Sequence, residues 1–406
     1  MTRSVGIAGP IRVAHYLRYL NEGGSASGHA GLGMGGTQVN AIALELLERG
    51  YTVYLYTLDP RIRKGEELRI TGKNLVIHVG AFPSGRWDRY VDLKRGAVSF
   101  LSGKMKADRP DIVHAHWTGE YARAAIHSGL PYLVSARDWM PAVWRHAPFT
   151  SMPSQLAATL EQRYVLRKAK YVSPNSEYLR NKIGKLCAGR MVETIPNFIA
   201  GTQFQPVADA TKRFPEFSIV SINNGFGGLK NVKTLLRAFR LIRDRHSSCR
   251  LYLAGTAHEH NGEVHCWARE QGLERGVVFM GALDSAEIDT LIRQCGLLVH
   301  PSLEESFGNT LIEAMVREVP VVGGRHSGAV PWVLNHGDAG ILADVKSPES
   351  IAAACIDLIE HDEKRSRLAK QGFSWAYGHF SSDAVMPKLL KLYSEIQSRE
   401  QSKQRG

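Results

Sequence analysis

The sequence predicts an α/β protein built from two doubly wound domains joined near residue 200. Three observations lead there. The chain has 406 residues, too many for one core. Short apolar runs alternate with helical patterns over most of its length, as in stacked βαβ units. The alternation is interrupted at Pro196-Asn197-Phe198 and then restarts.

In the first domain, 1–200, apolar runs at 5–8, 53–56, 75–79, 112–115, 132–135, 171–173 and 192–195 read as parallel strands. The first of them is placed to end near Val13. Helices such as 38–48 and 120–128 lie between the runs. A second set of runs, at 217–222, 251–254, 277–280, 297–300, 319–322 and 340–342, defines a domain over 201–383, with a long helix starting at 232. One more helical stretch covers about 384–397, and the polar segment 398–406 reads as a flexible tail.

Composition narrows the function classes. Hydrophobic content of 44% and charged content of 22% belong to a soluble globular protein. No apolar run approaches the roughly 18 residues of a membrane span, and the polar, Arg-containing N-terminus is not a signal peptide. The five cysteines, Cys187, Cys249, Cys266, Cys295 and Cys355, form no Cys-x-x-Cys pair. They predict free thiols in a reducing cytoplasm and argue against a zinc site or a disulfide framework. Charge is lopsided: residues 1–200 hold 27 Lys and Arg against 15 Asp and Glu, and the remaining 24 and 24 cancel. The clusters fall at 61–64, 86–95, 104–106, 163–170 and 180–185. Such asymmetry points to an anionic partner, with a merely solvated basic face as the alternative. The favoured contact is 86–95, where Trp87 and Tyr90 interleave with Arg86, Arg89, Lys94 and Arg95 as an interfacial helix requires.

The densest chemistry lies between Pro301 and Met315, where Glu305 and Glu313 stand on either side of Gly308. A strand end, a loop and a helix start follow one another there, which is where open α/β sheets bind ligands. Free N–H groups at Gly308, Asn309 and Thr310 suit a diphosphate, and Glu313 one turn on can accept both hydroxyls of a ribose. The plainer reading makes Glu305 a solvated loop residue and Glu313 an acid favoured by the helix dipole.

This segment resembles the E-x7-E signature of the family-4 retaining glycosyltransferases, whose fold is called GT-B. The likeness continues through Val319-Pro320-Val321-Val322-Gly323-Gly324, Ser327-Gly328-Ala329-Val330-Pro331 and Gly337-Asp338-Ala339-Gly340-Ile341-Leu342. It implies two Rossmann-like domains facing a cleft, with the C-terminal helix crossing back onto the first. It also implies transfer of a sugar from a nucleoside-diphosphate sugar with retention of configuration, without a metal or other cofactor. Glu305 would orient the sugar hydroxyls, with Ser306 and Phe307 beside it, and Glu313 would hold the ribose.

Further positions carry the likeness or depart from it. Gly31 to Gly36 spells G-x-G-x-x-G, with Asp59 after the next strand, but a long polar loop separates the glycines from the first strand, unlike a dinucleotide fingerprint. The family pattern uses Gly35, Gly36 and Thr37, and makes 14–34 an active-site loop. His114 and His116 end a strand and read as a metal pair or as hydrogen-bonded structural groups; by resemblance His116 lies beside the transferred sugar. Arg137 stands where the family has histidine, suggesting an anion contact or a surface pair with Asp138. Lys230 matches the family's diphosphate lysine, while the accompanying arginine is replaced in the stretch around Asn224, with Arg325 as the candidate to substitute for it. Gly281 matches the base-binding strand end, and Trp332 replaces the usual glutamate.

The function so implied is a cytoplasmic glycosyltransferase, peripheral to the inner face of the membrane, with an anionic or lipid-linked acceptor and no nucleic acid. Its product would belong to cell-envelope polysaccharide, lipopolysaccharide or glycolipid. The alternatives are a non-catalytic anion- or RNA-binding protein on the same fold and a nucleotide-sugar epimerase.

Overall fold

The computed structural model describes residues 3–20, 31–33, 35–83, 94–145, 152–204 and 214–405. The first lobe carries eight strands: β1 Ser4–Ala8, β2 Thr52–Asp59, β3 Glu67–Gly72, β4 Leu75–Ala81, β5 Ile112–His116, β6 Tyr132–Ala136, β7 Tyr171–Pro174 and β8 Met191–Val192. Their order is β3-β4-β2-β1-β5-β6-β7-β8. Every pairing is parallel except that of β3 with β4. The second lobe carries β9 Ser218–Ile222, β10 Arg250–Ala254, β11 Val277–Gly281, β12 Leu297–His300, β13 Val321–Gly324 and β14 Ile341–Ala343. These form a parallel sheet ordered β11-β10-β9-β12-β13-β14.

Helices cover both faces of each sheet, so the central strands read as unbroken apolar runs. In the first lobe alternate residues feed two cores. Val5, Ile7, Ile112 and Leu133 pack with Ile42 and Leu46 of the helix Thr37–Glu48. Val113, Ala115 and Val134 pack with Leu101 and Met105 of the helix Arg95–Asp108 on the other face. The long helix Ser382–Arg405 adds Val385, Met386, Leu389, Leu392, Tyr393 and Ile396 to the first of these cores. Fully burying each such side chain contributes roughly 1.5–3 kcal/mol. Between the lobes the chain passes twice at one place: the Ile199 N–H donates to Phe380 O at 2.9 Å and the Ser382 N–H donates to Ile199 O at 2.9 Å.

Both sheets have a switch in strand order. In the first it lies between β1 and β5, in the second between β9 and β12. The crevices outside the carboxyl ends of these strands are where ligands sit in open α/β sheets. They hold His116 on one side and the loops bearing Lys230 and Glu305 on the other.

Five expectations need correction. β1 ends at Ala8, well before Val13: the Gly9 N–H still donates to Tyr56 O at 3.1 Å, but Pro10 has no N–H to carry the ladder on, and residues Val13–Tyr19 form a 3-10 helix. β3 escapes sequence reading because it is a half-exposed, antiparallel edge strand. Only Met191–Val192 of the run 192–195 is strand. The run 319–322 is shifted to Val321–Gly324, since Pro320 has no N–H to donate. The tail expected to be flexible from 398 is helical through Arg405; Ser398 and Ser402 bond the carbonyls four residues earlier, and Glu400 takes contacts from Lys170 and Tyr171. Most of the proposed loop 14–34, at 21–30 and 34, and most of the favoured 86–95 cluster, at 86–93, lie outside the described residues.

Candidate active site

The second-lobe site is held by stitches between two loops. The Leu303 N–H donates to Leu229 O at 2.9 Å. Asn231, in the left-handed region at φ 55°, donates from its amide to Pro301 O at 3.1 Å and to Val345 O at 2.6 Å. This fixes the short turn Gly228–Lys230 against β12, and Lys230 Nζ meets Glu305 Oε1 at 2.8 Å. The same oxygen lies 3.2 Å from His300 Nε2, and His300 Nδ1 lies 3.2 Å from Thr310 Oγ1. Burial disfavours the Glu305 carboxylate, but His300 and Lys230 outweigh it and hold the pKa down to about 2. Thr310 therefore orients His300 through its hydroxyl. Glu313 makes no hydrogen bond or ion pair through its carboxylate among the described residues; burial raises its pKa, weakly opposed by Arg317. Of the other expected donor contacts, Phe307 is a core residue, 2% exposed, stacked edge-on with Trp332 and Phe380. Trp332 is thus an aromatic wedge behind the loop.

Three more expected contacts have partners within the fold. Asn224 Oδ1 accepts from the Thr256 N–H at 3.2 Å, tying the loops after β9 and β10. Gly281 has both backbone groups engaged: its N–H donates to His258 O at 3.0 Å and its carbonyl accepts from Gly255 N–H at 2.7 Å. Arg325 is exposed and donates from Nη2 to Leu342 O at 3.1 Å, so it does not replace the missing arginine in this conformation.

In the first lobe, His114 is structural: it bonds Tyr393 Oη at 2.7 Å and Ser135 Oγ at 2.7 Å. His116 is fully buried, and its Nδ1 accepts from Arg137 Nε at 3.1 Å and Nη2 at 2.9 Å. Its proton then sits on Nε2, a buried atom without a partner among the described residues. Burial, reinforced by His114 and Arg137, lowers the His116 pKa far below the usual histidine range. His116 has no exposed surface, so the place beside the transferred sugar that the resemblance implied for it is a covered one in this structure. Arg137 is neither an open anion anchor nor a surface pair with Asp138; burial brings its pKa down to about 10. Its Nη1 donates to Asn197 Oδ1, and Asn197 Nδ2 donates to Asn309 Oδ1 at 2.7 Å. The chain His116, Arg137, Asn197, Asn309 therefore links the first sheet to the helix start of the second. A parallel link runs from Ser176 Oγ to the Ser306 carbonyl at 2.6 Å.

The glycine segment also resolves. A Cβ on Gly33 would stand 1.7 Å from Ile11 O, and the Gly33 N–H donates to Asp59 Oδ2 at 2.7 Å. Asp59 is further held by Arg61, so neither serves a dinucleotide. Gly36, at φ 72°, opens the helix Thr37–Glu48 where a Cβ would stand 1.8 Å from Pro10 O. Gly35 faces open space and Thr37 is exposed.

Sequence reasoning missed His300, Asn197 and Ser176. His300 was visible as the one polar residue closing an apolar strand; the other two gave no local signal, because their partners lie 112 and 130 residues away. Among the described residues no three His, Cys, Asp or Glu side chains are grouped as a metal ion requires, and the cysteines are free thiols.

Two facing α/β lobes with binding crevices at their switch points define a sugar-transferase architecture of the GT-B type, and comparison with known proteins agrees. Residues 35–200 match the model described as Glycosyltransferase Family 4, and residues 214–375 match Glycosyl transferases group 1. D-inositol 3-phosphate glycosyltransferase of Corynebacterium efficiens is 31% identical over 403 residues, covering 88% of this chain and 89% of that protein. N-acetyl-alpha-D-glucosaminyl L-malate synthase of Bacillus anthracis is 23% identical over 374 residues, covering 90% and 94%. Sucrose-phosphate synthase of Thermosynechococcus elongatus shares the fold at a TM-score of 0.76 with 16% identity, covering 98% of this chain and 100% of that one. Anabaena HepE, solved with UDP and glucose, has a TM-score of 0.66 and 17% identity over 97% of this chain and 100% of that one. The chain belongs to the family-4 glycosyltransferases of the GT-B fold.

Proposed function

We propose that this transferase is a retaining, metal-independent enzyme that takes its sugar from a nucleoside-diphosphate sugar seated mainly on the second lobe. The observation that carries the reading is the ion pair of Lys230 with Glu305 at the β9/β12 switch point, with a Glu313 carboxylate that has no partner among the described residues. Lys230 is the cation that offsets charge growing on the leaving diphosphate, Glu313 takes the ribose hydroxyls, and Glu305 orients the sugar. Departure and attack occur on one face, and the leaving phosphate oxygen receives the acceptor proton, so no side chain acts as a strong base. Arg137 and Asn197 hold the first-lobe wall of the cleft against Asn309. HepE, crystallised with UDP-glucose, supports a nucleotide-sugar donor by analogy. The basic first lobe receives an anionic or lipid-linked acceptor of the cell envelope, with peripheral contact to anionic membrane on the cytoplasmic side. No helix among the described residues is long and apolar enough to cross a membrane.

The test is calorimetric binding of UDP, GDP and their sugars, followed by proton NMR of the anomeric linkage formed with an accepted donor. A product of inverted configuration overturns the retaining assignment. Release of an epimerised free nucleotide-sugar without an acceptor identifies an epimerase.

A further inference from the structure

The helix Met152–Lys168 has two unlike sides. Its inner side buries Thr159, Gln162, Val165 and Leu166. The Gln162 amide donates to Thr118 Oγ1 at 3.1 Å and to Asp138 O at 2.9 Å, and its Oε1 accepts from the Met140 N–H at 3.0 Å. The helix is thereby fixed to the loop that carries Arg137. On the outer side Met152, Leu156, Leu160 and Tyr164 recur every fourth residue and are 36%, 47%, 56% and 45% exposed. Spacing by four keeps them on one stripe. Arg163, Arg167 and Lys168 share that outer side and are exposed. The helix has one acid, Glu161, which turns inward to Lys94 and Arg123. Cys187 packs on the helix through the Leu166 carbonyl, and its turn adds exposed Lys185 to the basic end.

We propose that this face is a docking surface for an anionic lipid bilayer. It deepens the acceptor side of the proposed function and rests on that reading for its biological sense. An apolar stripe with cations and no outward acid is the pattern of a helix that lies in a charged interface. A second copy of the chain docked symmetrically would bring two basic faces together with no outward acid of this helix to pair them, and so is the poorer occupant. Seating the stripe at the headgroups places the Arg137 loop, joined to it through Gln162, near the surface that presents a lipid-linked acceptor.

The test is co-sedimentation of the full chain with vesicles of phosphatidylcholine alone and of phosphatidylcholine mixed with phosphatidylglycerol. Binding is expected only to the anionic vesicles, and to weaken as salt rises. The variants Leu156→Ser with Leu160→Ser, and Arg163→Gln with Arg167→Gln, should each lower that binding roughly tenfold or more. Melting temperature and nucleoside-diphosphate affinity should be unchanged, which shows that the fold and the donor site survive. Equal binding to neutral vesicles, or variants that bind anionic vesicles as the native chain does, overturns the proposal. So does a salt-dependent preference for RNA over vesicles, or a native dimer that the Leu156 and Leu160 changes convert to monomer with vesicle binding intact. Vesicle binding in a protein that binds no nucleotide would leave the docking face standing and remove the donor assignment.

Discussion

Glu305→Gln is expected to tighten nucleoside-diphosphate binding while suppressing sugar transfer. Lys230 is committed to Glu305 at 2.8 Å, so a diphosphate must compete for the ammonium. The competition is that of one half-buried ion pair. Burial raises the carboxylate pKa, and His300 and then Lys230 outweigh it and hold it down to about 2. An ion pair of this kind contributes about 1 kcal/mol, or about 5-fold in affinity. Removing the carboxylate also removes its repulsion of the incoming phosphates, which acts in the same direction. Titration calorimetry with UDP and GDP, which lack the sugar, isolates this effect from the lost contact to sugar hydroxyls. In the companion variant Lys230→Ala, affinity should fall by about 1.5–3 kcal/mol, as for a lost charge-assisted contact. Combining the two changes should then recover little of the loss. If Glu305→Gln leaves affinity unchanged or weakens it, Lys230 is not the diphosphate cation and the mechanism built on it fails.

Other outcomes follow from the same geometry. Because the folded-state pKa of Glu305 lies below its ordinary 4.5, its stabilisation is complete above that value and is lost as pH falls toward 2. The melting-temperature gap between the native chain and Glu305→Gln should therefore shrink on acidification; a gap constant down to pH 3 would contradict the ion-pair account. Glu313→Gln should weaken donor binding without altering melting temperature, and equal affinity would remove the ribose contact. Phe307→Ala should destabilise by about 3–5 kcal/mol, read in urea unfolding, because its ring is core packing behind the loop. Activity should persist after chelation with EDTA, and strict dependence on added manganese or magnesium would refute metal independence.

The sheets were legible because helices cover both their faces, which forces runs such as Ile112-Val113 and Leu297-Leu298-Val299 to be apolar throughout. β3 was not, because Glu67-Leu68-Arg69 alternates outward at an edge. In the candidate site, Lys230 and Glu305, which the fold brings to 2.8 Å of each other, could be singled out because loop-and-helix chemistry is written locally. Their assignments to atoms could not, since which donor Thr310 keeps and which lone pairs Asn224 or Gly281 have left depend on partners brought in by folding. Arg137 illustrates the limit. Its charge suggested an anion from outside, whereas the fold supplies His116 and Asn197 from within.

The helix that completes the first lobe's core bears on how the protein is made. Val385 to Ile396 fill space beneath β1 and β5, and Tyr393 bonds His114 at 2.7 Å, yet these residues are synthesised after the whole of the second sheet. The lobe that leaves the ribosome first is the last to close, while the core of the second is complete once Phe380 has emerged. Until the first lobe closes, the part of its sheet that lies beside the helix Thr37–Glu48 and under the helix Ser382–Arg405 stays uncovered, a window in which a chaperone is more useful to this lobe than to its neighbour.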